Sequence, residues 1–154
     1  KRRNIFTDSR TKYRDNTDFG KSKLFRIGWG RIMNSLIEEI LKILKQVEQV
    51  NNQVYQIEAD EEAEYPFITF FIQNGYEEYS KYTDTLVVEI WDENEDTTEI
   101  EDITDEIKDI LDHKIIDNEK INTVVYQDTR QNSTQSRDEV GCRELRFELQ
   151  TYFK

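Results

Sequence analysis

The stretch YPFITFFI, residues 65–72, is the strongest strand signal in this chain of 154 residues. It is rich in aromatic and β-branched side chains, and Asn74-Gly75 follows it as a turn signal. A second run, Thr85 to Trp91, alternates apolar side chains between two faces. The short connection between the two runs favours neighbouring antiparallel strands.

Three further runs extend this predicted sheet. Gln53 to Glu58 alternates weakly, and Asn122 to Tyr126 contains a β-branched centre. Leu145 to Phe153 alternates apolar with polar side chains, which is typical of a strand buried on one face only. The sequence thus predicts five strands.

A helix is predicted before the first strand. Ser35 and Glu38 have the spacing of a capping box, and apolar residues recur at helical spacing from there to Val50. The apolar stripe is wider than one core-facing side requires. Either the helix packs deeply on its sheet, or it also contacts a neighbouring subunit; the candidate interface residues are Leu36, Ile43 and Val50.

A second helix is predicted between the third and fourth strands. Thr98 and Glu101 form another capping box, and isoleucines follow at helical spacing up to Leu111. The opposite side of this helix is almost wholly acidic. The predicted order is α-β-β-β-α-β-β, which is an α+β fold with a mainly antiparallel sheet and two helices packed on one face.

The net charge of −12 is an average over two unlike segments. Residues 1–32 carry ten Lys/Arg and three Asp/Glu, whereas residues 33–154 carry eleven against thirty. We expect a basic, disordered leader over 1–32 and a single acidic domain over 33–154. One alternative is that the leader binds nucleic acid. Another is that Met33, the sole methionine, is the native start and the leader comes from upstream sequence.

The sequence contains no catalytic or metal-binding motif that survives inspection. One Cys and one His cannot form a zinc site, and no apolar run is long enough to span a membrane. Residues 92–96 open like a calcium loop, but Thr97 and Ile103 occupy the positions that require Gly and Glu. No metal, cofactor or catalytic residue is therefore predicted.

Three residues with chemical potential have simpler explanations. Glu89 interrupts an apolar strand and is expected on its exposed face. His113 follows the second helix and suits the charge preference of a helix C-terminus. Cys142 would need a base partner to act as a nucleophile, and His113 is the only histidine available, so we expect Cys142 to be a small packing residue. An enzyme is not predicted.

The segment from Asp128 to Glu139 is long and polar, and it separates two predicted strands. A hairpin loop of this length is usually mobile or functional. Its two arginines make it a candidate docking loop, represented by Arg130, Gln131, Asn132 and Arg137. Deleting residues 129–137 is expected to leave the fold intact and to abolish docking.

The order of these elements resembles the tail terminator, or tail-completion, proteins of long-tailed bacteriophages. The resemblance is based on the strand YPFITF at 65–70, the strand VVEIWD at 87–92, the acidic turn into a helix, and the arginine-bearing loop before the last strand. It covers residues 34–154. It implies a ring, commonly a hexamer, which caps the tail tube protein and meets the head connector protein. The ring would be a virion component assembled in the host bacterial cytoplasm.

Several features of the sequence agree with this family, which implies no catalysis and no cofactor. Strand edges could pair across subunits, and a carboxylate-rich surface would let DNA pass without specific binding. Two alternatives stay open: a head-closure or connector subunit of the phage neck, and an acidic DNA-mimic inhibitor of a DNA-binding enzyme.

Overall fold

Two helices and six strands follow one another in the order α-β-β-β-α-β-β-β in the part of the chain that the structure describes. That part of the computed structural model comprises residues 18–133 and 139–154, with side chains from Gly30 onward except that of Phe153. Ile32–Lys154 form one compact unit. The elements are α1 (Asp18–Leu44), β1 (Val54–Gln56), β2 (Phe67–Glu78), β3 (Lys81–Asp92), α2 (Thr98–Leu111), β4 (Ile115–Asp117), β5 (Ile121–Asn132) and β6 (Gly141–Phe153).

All six strands form one sheet in the order β1-β2-β3-β6-β5-β4. Strands β3 and β6 lie at its centre and pair over their full length, from Lys81 with Tyr152 to Asp92 with Gly141. Because directly opposed residues share a face, the register divides the side chains into two sets. One set carries Leu86, Val88 and Ile90, and the other carries Val87, Glu89 and Trp91.

Both helices pack on the face of Leu86, Val88 and Ile90. The buried apolar residues of α1 and α2 belong to the same core cluster as these strand residues and as Phe70 and Phe147. Burial of this apolar area is the main source of stability for the fold. The prediction of an α+β fold with two helices on one face of the sheet is confirmed.

The sheet is mixed, which corrects the expectation that sequential strands pair in antiparallel fashion. β1 runs parallel to β2, with Val54 opposite Ile68, whereas the other four strand pairs are antiparallel. The ten residues from 57 to 66 connect β1 to β2. This connection is too long for a tight hairpin and returns the chain to the same end of the sheet.

The first helix begins at Asp18, so the predicted capping role of Ser35 is wrong. Ser35 lies inside α1, where its Oγ accepts a hydrogen bond from Asn118 Nδ2 at 3.1 Å. The helix overlaps the predicted leader, and residues 1–17 of that leader lie outside the described residues. α2 begins at Thr98 as predicted, but the capping oxygen belongs to Asp96. The Thr98 N–H donates a hydrogen bond to Asp96 Oδ1 at 3.0 Å.

Four strands, β2, β3, β5 and β6, are longer than predicted, and one strand was missed. β2 continues through Asn74-Gly75 as far as Glu78, because Gly75 accommodates a bulge instead of ending the strand. A Cβ at Gly75 would lie 1.7 Å from the carbonyl oxygen of Thr83. β5 extends to Asn132, and the unpredicted β4 pairs with its first residues. β4 has only three residues, too few for a recognisable alternation.

Candidate functional site

The predicted docking arginine Arg130 is bound to its own subunit. It lies in β5 and donates from Nη1 to Asp105 Oδ1 at 2.5 Å and from Nη2 to Glu101. Arg143 of β6 donates from Nε to the other oxygen of Glu101, also at 2.5 Å. The contact with Arg143, followed by that with Arg130, lowers the pKa of Glu101. These ion pairs fasten α2 to the sheet.

The other predicted docking residues separate in the structure. Gln131 donates from Nε2 to Glu144 Oε1 at 3.0 Å, and Asn132 is exposed at the end of β5. Arg137 lies outside the described residues. The first residues of the predicted loop, up to Asn132, belong to β5 instead. Deleting residues 129–137 would also remove the pairing of residues 129–132 with β6, so the deletion reaches into the sheet and is not confined to a loop.

The three residues predicted to form a subunit interface lie in the core of the subunit itself. Leu36, Ile43 and Val50 are only 0, 7 and 1% exposed. Leu36 and Ile43 are in α1, and Val50 ends the short 3₁₀ turn that follows. Their side chains pack against the subunit's own sheet and helices, so the wide apolar stripe is used within the fold.

The lone histidine, the lone cysteine and the acidic turn after β3 each have a defined position in the structure. His113 is exposed after α2, with Nδ1 at 3.2 Å from Asp112 Oδ1. Cys142 is buried, and burial raises the pKa of its thiol to about 12. Asp92 Oδ1 accepts from the Asn94 N–H at 3.2 Å, which closes the acidic turn upon itself. Within residues 30–133 and 139–154, no group of three His, Cys, Asp or Glu side chains could hold a metal ion.

The prediction that Glu89 is exposed is wrong, because the residue is buried. It lies on the sheet face opposite the helices, where its Oε2 accepts from Thr69 Oγ1 at 3.2 Å. Thr69 Oγ1 in turn accepts from Trp91 Nε1 at 3.1 Å. Burial, more than the charge of Glu144 on the adjacent strand, raises the pKa of Glu89.

Four aromatic rings form a surface beside this network, which we call the aromatic shelf: Tyr55, Tyr65, Phe67 and Trp91. Phe67 and Trp91 are cross-strand partners with nearly parallel rings, 6.1 Å between centroids. Tyr65 lies 5.0 Å from Phe67, and Tyr55 meets Phe67 edge-on at 6.2 Å. Tyr65 is exposed and the other three rings are half-buried, so the shelf is open to solvent.

The sequence interpretation missed the aromatic shelf although its components were visible. Phe67 and Trp91 each occupied a predicted strand, but the register that places them side by side was unknown. Tyr55 joins them only because β1 runs parallel to β2. The parallel pairing was the signal that sequence alone did not provide.

Two further surfaces are exposed. The outer side of α2 presents carboxylates, among them Asp102, Asp105 and Asp109. The turn between β2 and β3 presents Tyr76 and Tyr79, of which Tyr79 is 96% exposed. Among the described helices, none has the length and apolarity needed to cross a membrane.

The two outer edges of the sheet are only partly paired, and each contains a bulge. β1 covers only the start of β2, and β4 covers only the start of β5, so 71–78 and 126–132 have no neighbouring strand on their outer sides among the described residues. Both segments contain a bulge, between Gln73 and Tyr76 and between Gln127 and Thr129. Bulged edges resist pairing with another strand, which disfavours the expectation that edges join subunits.

No protein-family model matches the chain, and no curated protein matches it. Among solved structures, it is similar to a chain from the virion of a native gene transfer agent (GTA) particle. The TM-score is 0.57 at 8% identity, and the match covers 71% of this chain and 84% of that chain. At this identity the similarity concerns the fold.

Proposed function

We propose that the protein is a non-enzymatic structural subunit of a phage-like virion. The observation that carries the proposal is the fold likeness, which extends over 84% of a subunit from a gene transfer agent virion. The tail-terminator resemblance of residues 34–154 was based on the order of the elements together with short motifs, and it leads to the same class of particle. Both observations support a virion component.

Within the virion, we place the subunit at the end of the tail tube, as a ring that joins the tail to the head. The carboxylates of α2 suit a surface past which DNA must move, because like charges oppose phosphate contacts. The bulged sheet edges favour subunit contacts through faces and loops. The position of a head-closure subunit is the neighbouring alternative within the same neck.

The proposal is tested by locating the protein in particles. Purified particles from the natural source should contain the chain, and gold-labelled antibodies should mark the junction of head and tail in electron micrographs. Native mass spectrometry of the full chain should show a ring, alone or after addition of tail tubes. Absence from particles would refute the proposal, and a strict monomer that binds a nuclease tightly would favour the DNA-mimic alternative.

A further inference from the structure

The aromatic shelf lies on the sheet face that the helices leave uncovered. We propose that it binds an arginine-bearing segment of an adjoining virion subunit. The identity of the partner rests on the proposed function, whereas the chemistry of the contact rests on the shelf itself.

The shelf is already organised for a flat ligand. The hydrogen bond from Trp91 Nε1 to Thr69 Oγ1 fixes the indole, and Phe67 packs between Trp91 and Tyr65. Rings that are held in place lose little side-chain entropy when a ligand binds. A planar guanidinium stacks on such ring faces, with its charge attracted to the π electrons.

Carboxylates flank the shelf. The connection from β1 to β2 contains five acidic residues between 58 and 64 and no basic residue. Glu64 directly precedes Tyr65 of the shelf, and its N–H donates to Gln53 Oε1 at 3.4 Å, the oxygen that also accepts from the Tyr55 hydroxyl. After burial, the charges of Asp60 and Glu64 raise the pKa of Tyr55, in agreement with this position. Neither forms an ion pair with any residue that the structure describes. They are available to a cation.

A third carboxylate lies on the other side of the rings. Glu89 is two residues before Trp91 on β3, and so it shares the face of the shelf. Its hydroxyl donor, Thr69, is neutral, and Arg146, whose charge also acts on Glu89, is itself bound to Glu144. Glu89 thus forms no ion pair of its own among the described residues. An arginine side chain lying across the Trp91 ring would have the carboxylates of the connection from β1 to β2 on one side and that of Glu89 on the other.

This combination selects against other ligands. Phosphate would be repelled by the flanking carboxylates, and a purely apolar segment would leave them unpaired as it covers them. Lysine carries the charge, but it lacks the planar group that stacks on an indole. An arginine side chain satisfies both the rings and the carboxylates.

Binding can be measured with a short acetylated peptide of alternating arginine and glycine. The Trp29→Phe variant of the full chain leaves Trp91 as the only tryptophan, so its fluorescence reports the shelf. We expect saturable quenching by the arginine peptide, and none by the same peptide with citrulline, which is isosteric and neutral. Equal effects of the citrulline or lysine peptides, or no saturation, would overturn the proposal.

A pair of double variants separates the shelf from general acidity. In the Trp29→Phe background, Asp60→Asn with Glu64→Gln should weaken binding about tenfold. Asp102→Asn with Asp109→Asn removes the same charge from exposed residues of α2 and should change affinity less than about twofold. Equal losses in both double variants would overturn the shelf as the site. Tyr65→Leu should also weaken binding, since Tyr65 is an exposed ring of the shelf.

The outcome is distinguishable from failure of the proposed function, because the peptide assay needs no particle. If the peptide binds as described but the chain is absent from virions, the shelf chemistry stands and the assignment of its partner to a virion subunit is overturned. If the chain is found in virions and the peptide does not bind, the shelf proposal alone fails.

Discussion

Glu89 of β3 and Glu144 of β6 are directly opposed cross-strand partners, and the two residues are only 6 and 8% exposed. The two carboxylates are not equivalent. Glu144 accepts from Arg146 Nε at 2.6 Å, whereas Glu89 has only the hydroxyl of Thr69 as its nearest donor. Glu144 is paired directly with Arg146, whereas Glu89 forms no ion pair among the described residues and interacts with the charge of Arg146 only beyond ion-pair distance.

The Glu89→Gln variant is expected to be more stable than the parent at neutral pH. Because burial raises the pKa of Glu89, the ionised form is the costly one in the folded state. The stability that the protonated carboxyl contributes is present below its unfolded pKa and is lost as pH rises through the folded pKa. Glutamine avoids that loss, so urea unfolding should show a gain on the order of 1 kcal/mol at about pH 8 and almost none at about pH 4.

Glu144→Gln is the matched control for this effect. It removes the same charge from the same face, but it also deprives Arg146 of its ion-pair partner. We expect no gain in stability, or a loss, at neutral pH. An equal gain in both variants would mean that lower net charge, and not burial of Glu89, is responsible.

The Glu101→Gln variant should be destabilised at neutral pH. Glu101 receives Arg143 and Arg130 from two strands, and these contacts lower its pKa. A lowered folded pKa gives stability that is present above the unfolded pKa and is lost as pH falls through the folded value. Since the side chain is more than a third exposed, solvent screening limits the loss to about 1 kcal/mol.

Urea midpoints at about pH 7 and about pH 3, with and without salt, would check this prediction. The difference from the parent should shrink at the lower pH and at high salt. Asp102→Asn on the exposed side of the same helix is the control, and it should change stability by only about 0.3 kcal/mol. An equal loss in Asp102→Asn would argue against the bridge.

The fold class was predictable because strong periodicity survives without knowledge of long-range contacts. The alternation of apolar residues around Val88 and Phe147 indicates which side chains of these strands are buried. The spacing of the isoleucines in α2 indicates the same for the helix. The pairing of β1 could not be predicted, because three residues carry no directional signal and the loop length was compatible with more than one topology. Of the candidate site, Arg130 was predicted as a docking residue, because its partners Glu101 and Asp105 are distant in sequence. Charge alone did not indicate whether it served a partner or its own helix.

Gly75→Ala should be strongly destabilising although glycine is usually a poor strand residue. The added Cβ would lie 1.7 Å from the carbonyl oxygen of Thr83, which is backbone and cannot move without shifting β3. The bulge would have to open, and with it the bond from the Gly75 N–H to Asp84 Oδ1 at 2.9 Å. A loss of about 1–3 kcal/mol is expected from thermal unfolding.

Gly141→Ala provides the comparison within the same sheet. A Cβ at Gly141 would meet Asp92 O at 3.7 Å and Ile100 Cδ1 at 3.8 Å, which are ordinary van der Waals contacts. This variant should retain the melting temperature of the parent within a few degrees. If Gly141→Ala is as damaging as Gly75→Ala, loss of backbone freedom and not the clash with Thr83 is the cause.

The thiol of Cys142 should be unreactive in the native protein. Its side chain is fully buried, and burial raises its pKa to about 12, so almost no thiolate is present at neutral pH. A colorimetric disulfide reagent should therefore label the chain only in urea, where the single cysteine becomes accessible. Ser80→Cys, at the exposed turn between β2 and β3, is the positive control and should react at once under native conditions. Fast labelling of Cys142 in the native parent would show that the start of β6 opens locally, since both access and ionisation require its exposure.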